Sequence, residues 1–242
     1  MSQAYQLYSK YRPFFKHLMP VARPILRAIW YLNRPRAIRT YLKTHQTRKL
    51  HLGAEFNFLE GWLNTDLYPK SSQFVFLDVT KNFPFEDQTF DYIFSEHMIE
   101  HLAYAEGVFM LHECYRVMKP NGTIRLATPD LEVIIGLYSP KKSELEHKYI
   151  KHVTDRFLGE INDYREAFVI NNAFRGWGHQ FIYDHATLQK VLQEAGFIDV
   201  TCYVSGESND PNLRGIEFHH KVVENEEMNQ FETMVLEAKR PA

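Results

Sequence analysis

Residues 84–130, PFEDQTFDYIFSEHMIEHLAYAEGVFMLHECYRVMKPNGTIRLATPD, carry strand, helix, turn and strand signals in unbroken order, with polar residues at the strand ends. Phe90-Asp91-Tyr92-Ile93-Phe94 is a short, mostly apolar run of the kind a sheet covered on both faces requires. It ends in Ser95-Glu96-His97, where an open parallel sheet places its ligands. From 99 to 118, Leu102, Ala105, Val108, Phe109, Leu111, Cys114 and Val117 recur at near-helical spacing, which predicts an amphipathic helix lying on the sheet. Lys119-Pro120-Asn121-Gly122 stops that helix, because Pro120 cannot continue it and Asn121-Gly122 tolerates positive φ. The chain then reverses into a strand over Thr123 to Ala127. Strand, helix and strand make one βαβ unit of an α/β protein.

Outward from this unit, strands are expected at 49–53, 62–67 and 73–77, and helices at about 130–139 and 142–158. The charged stretch Glu144 to Glu166 reads as part of a helical insertion, about 130–175, over the sheet edge. A helix over Ala186 to Ala195 ends at Gly196, a positive-φ cap. Val200 to Val204 and Phe231 to Ala238 are expected as closing antiparallel strands joined by the polar segment Ser205 to Asn229.

The chain has 242 residues, 45% of them hydrophobic, enough for one substantial core with an extension. Its two cysteines, Cys114 and Cys202, suggest a reducing compartment, with Cys114 a buried free thiol on the apolar helix face. No run of about 18 apolar residues is present and no secretory signal is read at the start, so a cytoplasmic location is expected. Net charge is −2, but residues 1–54 hold eleven Lys and Arg and no Asp or Glu. Residues 1–45 therefore form a basic, aromatic, helical extension on an acidic body of 46–242. Three readings of the extension stay open: a lid on the body, a peripheral contact with an anionic membrane, and, less favoured, a nucleic-acid surface, for which no recognised motif is present.

At Pro84-Phe85, Phe90-Asp91, His97-Met98-Ile99-Glu100-His101, Arg116-Val117-Met118-Lys119-Pro120-Asn121-Gly122 and Pro129-Asp130 the chain resembles the class I S-adenosylmethionine-dependent methyltransferases, specifically the small type-11 group. The likeness extends through Lys49 to Gly53, Gly61 to Asp66, Gly178-His179, Tyr183-Asp184 and Gly196-Phe197, covering roughly 45–240. It implies a Rossmann-like fold with a mostly parallel seven-stranded sheet and an antiparallel last strand. It also implies S-adenosylmethionine as cofactor, held by Gly53, Glu55, Asp66, Leu67, Asp78, Val79, Ser95, Glu96 and His97.

The residues themselves bear on those assignments. Gly53 lets the backbone turn beneath a ligand. Glu55 stands where relatives carry a second glycine; a carboxylate there could pair with the cofactor's ammonium or sulfonium but would repel its carboxylate. Asp66 follows Gly53 by only 13 positions, against about 20 in a dinucleotide-binding fingerprint, so the crossover has no room for a full helix. The resemblance assigns Asp66 to two ribose hydroxyls and Asp78, with Val79 beside it, to the adenine; the alternatives are a solvated turn aspartate and a helix cap.

His97-Met98-Ile99-Glu100-His101 also matches a zinc-binding HxxEH pattern. That motif requires a helix and a further distal glutamate, whereas here it starts where a strand ends, so no metal site is expected. Methyl transfer needs alignment of the acceptor and, for a hydroxyl acceptor, removal of a proton. His97, His101 and His179 are candidate bases, with Tyr183 and Asp184 orienting a partner or simply opening the next helix. The reading is O-methylation of a small molecule or saccharide, the saccharide resting on association with glycan biosynthesis alone. A catalytically inactive methyltransferase-like binding module is the alternative.

Overall fold

The computed structural model describes residues 26–242 other than 160 and 162. The first half of the basic extension, with Tyr5, Tyr8, Lys10 and Arg12, lies outside the described residues. A helix at 26–44 (α1) precedes β1 (Lys49–Leu52), β2 (Leu63–Asp66), β3 (Val75–Phe76) and β4 (Phe90–Glu96). A 3-10 turn, Ile99–His101, leads into α2 (Tyr104–Val117), β5 (Met118–Pro129), α3 (Leu131–Gly136), α4 (Glu144–Phe157) and α5 (Glu166–Arg175). The chain closes with α6 (His185–Glu194), β6 (Ile198–Tyr203), α7 (His219–Val223), α8 (Glu226–Glu232) and β7 (Thr233–Lys239).

The seven strands form one sheet in the order β3-β2-β1-β4-β5-β7-β6. All neighbours pair in parallel except β7, which runs antiparallel to both β5 and β6. This is the Rossmann-like methyltransferase architecture expected from the sequence. The strand order reverses between β1 and β4, so their carboxyl ends border the crevice where such sheets bind ligands. Because β7 runs the other way, its first residue, Thr233, opposes Pro129 at that same edge. The main core is built from Leu50, Ile93 and Ile124 of the sheet against Met110, Leu111 and Cys114 of α2 and Leu188 and Val191 of α6. As expected, Cys114 is buried and free. Leu137, Tyr149, Ile150, Val153, Val169 and Met228 form a second, smaller core among α3, α4, α5 and α8 beyond the ligand edge.

Several motif residues prove to be scaffold. The Asp91 carboxylate accepts from Arg48 N at 2.8 Å and from Lys119 Nζ at 2.8 and 2.9 Å, pinning the start of β4 to that of β5. Arg116 donates to Glu113, to Asp87 and to the carbonyls of Phe83 and Phe85. Gly196 has φ +107, and a Cβ there would come within 2.8 Å of the Tyr115 ring.

Three expectations about elements need correction. The helix expected from 99 starts at Tyr104, because His97 takes φ +43 and Met98 is non-helical; the Glu106 carboxylate then accepts from Ala103 N at 3.1 Å at the new start. Lys119 to Gly122 lies within β5 as an irregularity between the pairs Phe90↔Met118 and Tyr92↔Thr123, with Asn121 at φ +63. The segment read as polar connection contains α7 and α8. The carboxylate of Glu96 accepts the N–H groups of Phe218 and His219 at 2.8 to 3.0 Å, satisfying the donors that open α7, and Asn225 caps α8 through Met228 N.

Candidate active site

The carboxyl ends of β1, β4 and β5, the start of β7 and the connections after them surround a cavity of about 420 Å³. Its walls bring together Glu55, His97, Glu100, His101, His179, His219 and Glu232 with the apolar Val153, Phe157, Trp177 and Val222. A second recess, joined to it through Glu55, His97 and His219, runs past Gly53, Ala54 and Glu96. A larger groove of about 1100 Å³ lies between α1 and the β2–β3 edge, but no carboxylate among the described residues lines it.

Buried Glu100 organises the deeper wall. Its Oε2 accepts from Thr128 Oγ1 at 3.1 Å, and Oε1 lies 3.3 Å from His97 Nδ1. Burial alone would raise its pKa, but the close His97 ring and the charges of His97 and His101 outweigh that and hold it below the usual carboxylate range. His97 stacks on His219, centroids 3.5 Å apart and planes 13° apart, and its Nε2 lies 3.1 Å from Thr233 Oγ1. Burial and the neighbouring His219 charge lower its pKa, despite Glu100. Glu232 joins His219 Nε2 at 3.2 Å to the Tyr149 hydroxyl at 2.5 Å, which ties α4 to the site. Burial pushes Glu96 up to about 7, against the backbone donors it accepts.

His101 and His179 meet edge to face at 4.9 Å and 77°. The segment carrying His179 is held to the 3-10 turn: Gln180 N and Phe181 N donate to Glu100 O, and Gln180 Nε2 to His101 O. His179 Nδ1 donates to Ala173 O at 2.7 Å, leaving Nε2 as the lone-pair nitrogen, and burial lowers its pKa. Trp177 lies 5.6 Å from His179 and 5.2 Å from Phe157.

The remaining expected residues divide by place. Gly53 has φ +64, and a Cβ on it would fall 2.4 Å from Met98 Cγ, so this turn has no room for a side chain. Asp66, at the end of β2, accepts from Glu55 N at 2.9 Å and Tyr68 N at 2.6 Å, joining the two predicted contact positions. Crowding by protein atoms raises the Glu55 pKa against the pull of Lys70, with Asp66 adding to the rise. Ser95 Oγ, at the end of β4, is buried and makes no hydrogen bond among the described residues. Leu67 is exposed and Val79 packs on the main core. Asp78 accepts from Thr80 N and Oγ1, the pattern of a turn cap, and from Arg27 of α1 at 3.4 Å. A side-chain-free turn at Gly53, a fixed carboxylate at Asp66 and an unpaired hydroxyl at Ser95 suit a nucleoside cofactor with a polar amino-acid tail.

One expectation fails on geometry, and one open alternative falls to the helix cap. Tyr183 is fully buried, its ring between Tyr104 and Phe181 and its hydroxyl 2.5 Å from where a Cβ on Gly107 would stand, so it does not line the cavity. Asp184 accepts from Thr187 N at 2.6 Å and caps α6. Sequence reasoning missed His219 and Glu232; nothing local marks them, because they reach the edge only through the α7–α8 connection.

Residues 59–126 match the type-11 family model described as a methyltransferase domain. No curated protein matches the chain. Similar solved structures include a SAM-dependent methyltransferase from Archaeoglobus fulgidus, 19% identical over 95% of this chain and 100% of that one with TM-score 0.49. Another, from Thermotoga maritima, is described as a possible histamine N-methyltransferase, 12% identical over 98% and 100% with TM-score 0.48. A third is Haemonchus contortus phosphoethanolamine N-methyltransferase 2 in complex with S-adenosyl-L-methionine, 14% identical with TM-score 0.43, covering 82% of this chain and 49% of that one. At such distances they say nothing about the acceptor. The matched segment lies within the sheet order of a class I methyltransferase, and over those residues the chain is similar to the type-11 methyltransferase domain.

Proposed function

We propose that this methyltransferase transfers its methyl group to a hydroxyl oxygen of a small molecule, with a saccharide as the favoured class. The observation that carries the reading is the pairing of His101 and His179 on the cavity wall, the latter with Nε2 unprotonated and facing no other hydrogen-bond partner among the described residues. A neutral imidazole is suited to taking the proton from a hydroxyl near neutral pH. Phe157 and Trp177 offer flat apolar faces for the C–H side of a sugar ring and keep water from the site.

S-adenosylmethionine supplies an electrophilic methyl group on a sulfonium sulfur. In this reading the positive-φ turn at Gly53 carries the backbone beneath it, Asp66 and Asp78 accept from its ribose and adenine, with Leu67 and Val79 flanking them, and Glu55, Ser95, Glu96 and His97 border its amino-acid end. His97 is then a wall residue rather than the base, since Glu100, Thr233 and His219 already engage its ring. Alignment supplies the larger part of the acceleration in such a displacement.

Labelled methyl transfer to a panel of monosaccharides and small alcohols tests this. Loss of a general base costs roughly 10²–10⁴-fold in turnover; His179→Ala is expected to show that loss while S-adenosylhomocysteine affinity stays unchanged. Transfer to amines but to no hydroxyl acceptor sinks the O-methylation reading. For residues 1–45 we propose peripheral contact with an anionic membrane, supported by exposed Ile29, Tyr31 and Leu32 on basic α1. Failure to co-sediment with anionic vesicles at low salt removes that proposal. No helix among the described residues is long and apolar enough to cross a membrane.

A further inference from the structure

The geometry points to a divalent transition-metal site formed by Glu100, His101 and His179 on the wall of the active-site cavity, which we propose as the device that activates the acceptor hydroxyl. The chemistry of this proposal rests on the O-methylation reading, with the ion taking over activation of the hydroxyl, since His179 Nε2 as a ligand is no longer a free base; the existence of the site does not rest on it.

One ligand atom from each of the three residues lies within 4.8 Å of the others, the span of donors around a single ion. Two imidazoles and a carboxylate are the donor set of catalytic zinc sites that keep a position open for water or substrate. The second requirement, outer partners that fix the ligands, is also met. His179 gives its Nδ1 proton to Ala173 O, so Nε2 is the free donor, and Thr128 Oγ1 holds Oε2 of Glu100. Glu100 is fully buried, and its Oε1 makes no hydrogen bond among the described residues, its ion-pair contact being His97 Nδ1 at 3.3 Å. Neither ring nitrogen of His101 is hydrogen-bonded among the described residues, and its ring meets that of His179 at 77°, so in-plane lone pairs can converge on one point.

The neighbouring group His97, His219 and Glu232 also satisfies the distance criterion but not the orientation. Its rings are stacked 13° from parallel, so their in-plane lone pairs do not converge, and His219 Nε2 is already spent on Glu232. The HxxEH zinc pattern does not describe the proposed site either: 97–101 is a turn rather than an α-helix, and the third ligand comes from residue 179.

A cation so placed lowers the pKa of a hydroxyl presented to it and orients that oxygen. The acceptor O–H then releases its proton to solvent water, and its oxygen forms the new bond to the methyl carbon. The carbon–sulfur bond breaks with its electron pair going to sulfur, which leaves S-adenosylhomocysteine.

The test is calorimetric titration of Zn²⁺ into full-length, chelator-treated protein, with S-adenosylhomocysteine titrated separately into each variant. Wild type is expected to take one ion with affinity on the order of micromolar or tighter. Thr128→Val, which removes only an outer partner, is expected to weaken Zn²⁺ roughly 10–100-fold, and His179→Ala more than that, both with S-adenosylhomocysteine binding retained. Exposed His112→Ala should change nothing. Folded wild type that takes no stoichiometric Zn²⁺, or affinity unchanged in both His179→Ala and His101→Ala, overturns the site. Zn²⁺ binding lost in His179→Ala alongside a complete absence of S-adenosylhomocysteine binding in wild type supports the metal site and contradicts the cofactor reading instead.

Discussion

His51, the third residue of β1, is fully buried, with Nδ1 3.0 Å from Asn64 Oδ1 and its ring 5.0 Å from that of Phe94. Burial pushes its pKa down to about 4, against the smaller pull of Asn64. A histidine depressed from about 6.5 to about 4 contributes stability that is present above pH 6.5 and is lost as pH falls through that window. At 1.36 kcal/mol per unit the contribution is about 3 kcal/mol. Urea unfolding at pH 7 and pH 4.5 should therefore show wild type losing more stability than His51→Gln over that interval; an equal loss in both contradicts the assignment. Site residues were unequally legible at this scale. Gly53, Asp66, His97, His101 and His179 were singled out at strand ends or in short motifs, Gly53 and Asp66 through the family resemblance, and all five lie at the carboxyl edge of the sheet or in the segment held against it. Tyr183 was misplaced because a tyrosine beside an aspartate reads alike as pocket lining and as the residue before a helix cap. His219 and Glu232 went unseen because their partners lie more than a hundred residues away or across a helix pair, in His97 and Tyr149.

Arg125 shows what holds an element in place. On the interior strand β5, fully buried, it donates Nε to Glu217 and Nη1 to Glu237, both at 2.6 Å, so the connection before α7 and the antiparallel β7 are joined to the sheet interior through one guanidinium. Removing the cation leaves two buried carboxylates without their counter-charge, which costs about 3–5 kcal/mol. Arg125→Met should lower chemical stability by that amount; a loss below about 1 kcal/mol would show that the carboxylates find solvent or other donors. The β4–α2–β5 unit was legible because apolar periodicity and a Pro-Asn-Gly stop sit in sequence. The late start of α2 was not, because it depends on the positive φ of His97. Nor was α7, a five-residue helix whose opening N–H groups are satisfied by Glu96 from a distant strand; no local propensity signals such a helix.

The whole molecule is a sheet whose ligand edge is roofed by the second core of α3, α4, α5 and α8, with α1 laid along its far side. Tyr41 anchors α1: its hydroxyl donates toward Lys49 O or Gly61 O, at 2.9 and 3.0 Å, and accepts from Lys49 N at 2.7 Å, while Arg27 reaches Asp78. Arg27 of α1 thus meets Asp78, the carboxylate assigned to the adenine, beyond the end of β3. The strands were legible as short apolar runs, whereas the seven-stranded sheet and the place of the site were what the family resemblance implied, including the helix-free passage from Gly53 to Asp66. The roof was foreseen only as a helical insertion, since α8 joins it from the other end of the chain. The central claim is that this edge binds S-adenosylmethionine through Gly53 and Asp66 with Glu55 tolerated between them. Calorimetric titration of S-adenosylhomocysteine into cofactor-free wild type and Asp66→Ala tests it most directly. Wild type is expected to bind saturably and one-to-one, and a folded Asp66→Ala not at all. Equal affinity in the two proteins, or no binding by folded wild type, contradicts it.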